Sequence, residues 1–164
     1  MVNRYLMPIE SKIRHFFILP VLVFILIACT RKENDVIPDT TVNFTIDLND
    51  PEFVALTTLF GSVYISSATN NWGIGAAGYD NNGIIVINGD GEFYAFDRTC
   101  PYDYAVNNQS VKVNIVDVIY AECPECKTKY ALTSFGTPVP GSTGRYPLKN
   151  YKTTVNGNYV TVWN

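Results

Sequence analysis

An all-β fold is the class that this 164-residue sequence predicts, and three observations carry the expectation. Tyrosine and phenylalanine are abundant, at eleven and nine residues, and aromatic side chains suit a pleated, half-buried surface. Short alternating runs recur between Gly/Asn/Pro turn signals, the pattern of strands joined by tight turns. No segment longer than about ten residues outside the amino terminus has sustained helical spacing. The length suffices for one domain with a real core.

The amino terminus stands apart. Arg4, Lys12 and Arg14 give a basic start, and Phe16 to Ala28 is an unbroken apolar run with the length of a signal-peptide core. Met7 is a second candidate start. Leu26-Ile27-Ala28-Cys29 resembles a bacterial lipobox, which implies cleavage before Cys29 and a lipid on that cysteine. The expected organisation is a signal peptide over 1–28, a flexible tether over 29–41 and a β domain over 42–164. The tether reading rests on the polar, charged run Thr30 to Thr41. The expected location is the periplasmic or outer-membrane face of a bacterial membrane, with the membrane as a partner through Cys29. Loss of Arg4, Lys12, Arg14 and Glu10 with the signal takes the net charge from −3 to −5. A mildly acidic chain lacks the clustered basic face that nucleic acid needs.

Along the domain, Val42, Phe44, Ile46 and Leu48 alternate with polar residues and predict a half-buried strand. Phe53, Leu56, Leu59 and Phe60 have the spacing of a helical turn. Ser62 to Ser66 is a second strand. Ala68 to Asp80 is a loop rich in Asn and Gly. Its Gly73-Ile74-Gly75-Ala76-Ala77-Gly78 matches a dinucleotide fingerprint, but no long helix follows, so a loop packing Trp72 against the body is expected. Ile84–Ile87 and Phe93–Phe96 form a hairpin about Asn88-Gly89-Asp90-Gly91. Val111, Val113 and Ile115 alternate, and Val116 to Tyr120 reads as one strand. Tyr151–Val155 and Tyr159–Trp163 close the domain around Asn156-Gly157, a type I′ signal.

Two cysteine segments lie at the centre. Cys100-Pro101-Tyr102 ends the first hairpin, and Cys123-Pro124-Glu125-Cys126 is the tip of the second. With the hairpin Gly83 to Asp97, the run Lys127-Thr128-Lys129-Tyr130, the proline loop Phe135 to Gly141 and the closing hairpin, they resemble the Rieske iron–sulfur domain. Its two loops read C-x-H and C-x-x-H. The resemblance covers about half the chain. It implies small stacked antiparallel sheets with two cysteine loops at one tip, and electron transfer through a [2Fe–2S] cluster. It places Tyr102 at the first histidine's position and Cys126 at the second's, so Cys100, Tyr102, Cys123 and Cys126 are the implied cofactor-binding positions. A Rieske centre needs two imidazoles on one iron, and the single histidine, His15, lies in the expected signal peptide. An ordinary Rieske centre is excluded by composition.

With Cys29 lipidated, Cys100, Cys123 and Cys126 remain, and four readings compete. One is a disulfide between the loops, which export permits; the second-loop position that carries such a bridge in some family members is Glu125 here. A second is an altered cluster or single metal ion held by Cys100, Cys123 and Cys126 with oxygen from Tyr102 or Asp103, C-x-x-C being good half-site spacing. A third is a redox-active dithiol at Cys123–Cys126. The fourth makes the cysteines inert and the tyrosines Tyr102, Tyr104 and Tyr130 either a binding surface or filler for the volume of a lost cluster. Without histidine no Ser-His-Asp or Cys-His catalyst can form. The favoured reading is a lipid-anchored structural or binding module of Rieske-like fold without a normal cluster; the alternative is an iron–sulfur or mononuclear metal electron-transfer protein.

Overall fold

The structure, a computed structural model, describes residues 34–164. The segment expected as a signal peptide, Cys29 and His15 lie outside the described residues.

The all-β expectation is met by two antiparallel sheets. The larger has six strands in the order β1-β10-β9-β4-β3-β2. These are β1 (Asn43–Asp47), β2 (Ser62–Ile65), β3 (Ile84–Asn88), β4 (Phe93–Asp97), β9 (Asn150–Asn156) and β10 (Tyr159–Trp163). The smaller has four strands, β5 (Asn114–Asp117), β6 (Tyr120–Glu122), β7 (Lys129–Ala131) and β8 (Thr137–Pro138), paired in chain order. One short helix, α1 (Pro101–Asn107), follows β4.

Periodicity explains how the sheets share an interior. β1 alternates, burying Phe44 and Ile46. β3 does not alternate: Ile84, Ile85, Val86 and Ile87 are all fully buried. A strand with an apolar residue at every position is covered on both faces. Ile84 and Val86 face the core made with Phe44, Ile46, Phe53, Leu56, Val160 and Val162. Ile85 and Ile87 face a second core with Phe96, Val113, Ala121, Tyr130, Leu132, Leu148 and two of the cysteines. The β3–β4 hairpin is thus the wall between the two interiors.

The remaining elements refine the expectations. Pro51–Thr57 forms a 3-10 turn, capped by the Asp50 carboxylate on the Glu52 amide, and buries Phe53 and Leu56. The glycine-rich loop contains only short 3-10 turns, and Trp72 stacks on Phe44 and Phe53 at 5.0 and 5.7 Å. The strand expected over Val116 to Tyr120 is instead broken at 118–119, a turn between β5 and β6, and the register shifts just before it, between Ile115 and Asp117. Val116 and Val118 are exposed there, so the apolar run had no buried face to keep it straight. The closing turn sits one residue later than its Asn-Gly signal. Asn156 pairs with Tyr159, so Gly157-Asn158 is central. Gly157 has φ 59° while Asn158 is not left-handed, the φ signs of a type II′ turn rather than type I′.

Part of the stretch expected as a tether is held against the domain. Asn34 and Ile37 are buried, Asn34 Nδ2 donates to the Pro147 carbonyl at 2.5 Å, and Lys149 Nζ donates to the Ile37 carbonyl at 2.9 Å. Asn34 Oδ1 also accepts from the Val36 amide at 2.7 Å, folding the segment on itself.

Candidate metal centre

The second core ends in a cluster of sulfur and oxygen. β4 runs through Thr99, which bridges Lys112, and delivers Cys100, whose amide donates to the Val111 carbonyl at 2.8 Å. Pro101 then occupies the first helical position, where its missing N–H costs nothing. The first cysteine segment is therefore the start of α1 rather than a simple loop, and Asn108 ends the helix in the left-handed conformation. One turn into α1 comes Asp103, only 1% exposed.

The second segment is a tight turn between β6 and β7. Lys127 N donates to the Cys123 carbonyl at 3.1 Å and Cys123 N to the Thr128 carbonyl at 3.0 Å. Lys127 takes φ 58° to close it. The chain returns over this turn at Gly144, whose amide donates to Thr128 Oγ1 at 2.9 Å. A Cβ at Gly144 would lie 2.7 Å from Thr128 Cγ2, which explains glycine there.

Together these segments bring one donor atom each from Cys100, Asp103, Cys123 and Cys126 within 4.8 Å of one another. Cys100, Cys123 and Asp103 are buried and Cys126 is half-buried. Cys100 and Cys126 Sγ are 3.6 Å apart, and the Cys123 thiol donates to Asp103 Oδ2 at 2.9 Å. Asp103 Oδ1 accepts from Asn107 Nδ2 at 2.9 Å. Two hydroxyls finish the surround, with Tyr130 3.3 Å from Cys100 Sγ and Thr128 Oγ1 3.1 Å from Cys126 Sγ.

Electrostatics follow from burying many acidic groups together. Burial acts to raise the Asp103 pKa, but the hydrogen bonds from Cys123, Cys126, Cys100 and Asn107 outweigh it and hold the carboxyl below its ordinary value. The Cys123 thiol is pushed far up by its hydrogen bond to Cys100, by burial and by Asp103. Burial likewise raises Cys126 and, with the nearby Cys100, Tyr130. The Asp103 carboxylate therefore carries the charge, and the Cys123 and Cys126 thiols keep their protons.

Of the residues singled out in sequence, Cys100, Cys123 and Cys126 converge. Of the two oxygen donors weighed, Asp103 lies with the sulfurs, and Tyr102, half-buried on α1, packs against the second core. All three thiols are free, and no inter-loop disulfide is formed. The C-x-x-C turn leads into β7 and not into a helix, so it lacks the setting of a thioredoxin-type dithiol. Tyr130 is fully buried, as filler of the interior, and so belongs to no surface, while Tyr102 and Tyr104 are half-buried and the Tyr79 hydroxyl donates to that of Tyr104 at 3.1 Å. Thr128 and Gly144 escaped notice because nothing in Gly141-Ser142-Thr143-Gly144 marks a return to the second cysteine turn.

No family model and no curated protein matches this chain. Among solved structures it is similar to the ferredoxin of carbazole 1,9a-dioxygenase from Nocardioides aromaticivorans IC177, at 14% identity and a TM-score of 0.44, covering 76% of this chain and 97% of that one. It is also similar to a structure described as the small subunit of a nitrite reductase NADPH oxidoreductase, at 15% identity and a TM-score of 0.39, covering 74% and 97%. A third likeness is to a complex of reduced oxygenase and oxidized ferredoxin in carbazole 1,9a-dioxygenase, at 16% identity and a TM-score of 0.38, covering 62% and 92%. These likenesses are distant, and no ligand, partner or activity follows from them.

Proposed function

We propose that this chain is an exported, lipid-anchored β domain of Rieske type whose cluster end has been rebuilt, and that it works as a structural or binding module rather than as an ordinary Rieske electron carrier. The donor set is the observation that carries this reading. A Rieske centre places two thiolates on one iron and two imidazoles on the other. The described residues contain no histidine, and their four donors lie within 4.8 Å of one another. Ligands at opposite ends of a rhomb of two irons and two sulfides stand farther apart than ligands of one ion. The residues do not fit the cluster.

The anchor supplies the partner in this reading, a bacterial membrane reached through lipid on Cys29. Cys29 and Asn34 are five residues apart, a span of about 18 Å at most. With Asn34 hydrogen-bonded to the domain, the module would stay close to the bilayer instead of ranging on a long tether.

Two measurements test the proposal. The purified lipoprotein, treated anaerobically with iron and sulfide and then reduced, should give no histidine-ligated mixed-valence paramagnetic resonance signal; such a signal would overturn the rebuilt-site reading. Cys29→Ser should abolish lipidation and leave the protein unprocessed or soluble, as read by mass and by detergent partitioning. A processed, lipid-modified Cys29→Ser protein would remove the anchor.

A further inference from the structure

We infer that Cys100, Cys123, Cys126 and Asp103 form a closed, four-coordinate site for one zinc-class divalent ion, which fastens the small sheet to the end of β4. The inference rests on the reading that the cluster end has been rebuilt, and it names what the rebuilt end holds.

Zinc binds thiolate at about 2.3 Å and carboxylate at about 2.1 Å, so tetrahedral edges are about 3.8 Å between sulfurs and about 3.6 Å between sulfur and oxygen. Cys100 and Cys126 Sγ already stand 3.6 Å apart. The Cys123–Asp103 pair is closer, at 2.9 Å, because a proton lies between them. Removing that proton and placing an ion between the two atoms requires them to part by roughly 0.7 Å, within the reach of small side-chain rotations.

The surround suits thiolates. The Tyr130 hydroxyl lies beside Cys100 Sγ and that of Thr128 beside Cys126 Sγ, each able to donate once the sulfur is ionised. Three thiolates and a carboxylate leave two negative charges on the filled site, and these donors are what would spread them. Binding is a proton exchange without redox change: each thiol gives its proton to buffer as its sulfur takes the metal. Four protein ligands leave no open position, so the site is structural and not hydrolytic. Soft thiolates favour zinc over magnesium or calcium.

The test uses the full-length lipoprotein in detergent, isolated under reducing conditions and loaded with zinc chloride. One zinc per chain is expected, with X-ray absorption showing three sulfurs and one oxygen. Cobalt loading should give the strong visible bands of a tetrahedral thiolate site. Asp103→Asn should weaken zinc at least about tenfold against a chromophoric chelator, a typical loss for a disturbed metal shell, while Tyr102→Phe should leave it unchanged. Failure to bind zinc with all three thiols open to alkylation would overturn the inference, as would a Cys100–Cys126 disulfide in the zinc-loaded protein. Equal zinc affinity in Asp103→Asn would remove the carboxylate from the site and overturn the four-ligand assignment. None of these three results touches the rebuilt-site reading, which falls instead to the histidine-ligated signal described above.

Discussion

The two sheets solve the same problem with different means. The six-stranded sheet has strands of four to seven residues and buries Phe44, Ile46, Ile65, Ile84, Val86, Val160 and Val162 against one another. Apolar burial of that extent holds a sheet by itself, at roughly 1.5–3 kcal/mol for each large side chain. The four-stranded sheet has strands of two to four residues, and β5 buries none of its own. Its inward residues are few: Ala121 from β6 and Tyr130 from β7. It depends on the back of the β3–β4 wall and on whatever joins Cys100 and Asp103 to the turn that holds Cys123 and Cys126. A small sheet with a poor core gains most from a fastener, and the proposed zinc site would be one.

Cutting the dependence on the wall should have the largest effect. Phe96 is fully buried in the second core, and Gly136 approaches it so closely that a Cβ there would lie 3.0 Å from the ring. Phe96→Ala should cost about 3–5 kcal/mol. Hydrogen exchange should show the loss first in β5–β8, with the amides of β1, β9 and β10 keeping more of their protection. Uniform loss across both sheets would mean that they form one cooperative unit.

A smaller effect sharpens the boundary between the regions. Asp97, fully buried at the end of β4, accepts from the Tyr151 hydroxyl at 2.7 Å, the Tyr79 amide at 2.6 Å and the Thr99 amide at 2.8 Å. Burial, and then the nearby Asp97 charge, raise the Tyr151 pKa well above its ordinary value. The sign follows. Tyr151 keeps its proton in the folded state while the unfolded tyrosine loses it near pH 10, so the contribution is complete below about pH 10 and is lost as pH rises beyond it. The urea midpoint should therefore fall between pH 9 and about pH 11, less steeply in Tyr151→Phe. Equal slopes in the two proteins would assign the alkaline loss to other groups, Tyr130 among them.

How much of this was legible follows the same division. The large sheet was readable because its strands alternate or are wholly apolar and are separated by turn residues, as in Val42 to Leu48 and the Ile84–Phe96 hairpin. The small sheet was less so. Val116-Asp117-Val118-Ile119-Tyr120 looks like one strand because β-branched residues favour extension wherever they lie, and nothing in it reports that its apolar side chains face solvent. Helix α1 was hidden for a related reason: Tyr, Asp, Val and Asn are weak helix formers, and Pro101, which opens the helix, is a residue type equally at home in turns. The cysteines were legible by spacing. That the Asp103 carboxylate joins them was not, since it depends on α1 turning that side chain inward.

The smallest expected effect concerns the first described residues, where polar composition was a poor guide. Asn34 lies in a run that reads as tether, yet only 6% of it is exposed and it serves three partners: the Pro147 carbonyl, and the amides of Val36 and Ile37 at 2.7 and 3.2 Å. Those bonds place Ile37 where it is 1% exposed, and the Ile37 carbonyl takes the Lys149 ammonium. Pro147 and Lys149 flank Leu148, a member of the second core, so the segment fastens the same wall from outside. Asn34→Ala would leave one buried carbonyl without its donor and two amides without their acceptor. Exposure of the freed segment to water lets those groups recover hydrogen bonds, so the net cost should be about 1 kcal/mol and not the several that three lost bonds suggest. Limited proteolysis is the sharper readout: cleavage between Asn34 and Thr41 should become faster in Asn34→Ala while the domain stays intact. If both proteins are cut there equally fast, the segment is already free in solution, and the longer tether expected from composition would be restored.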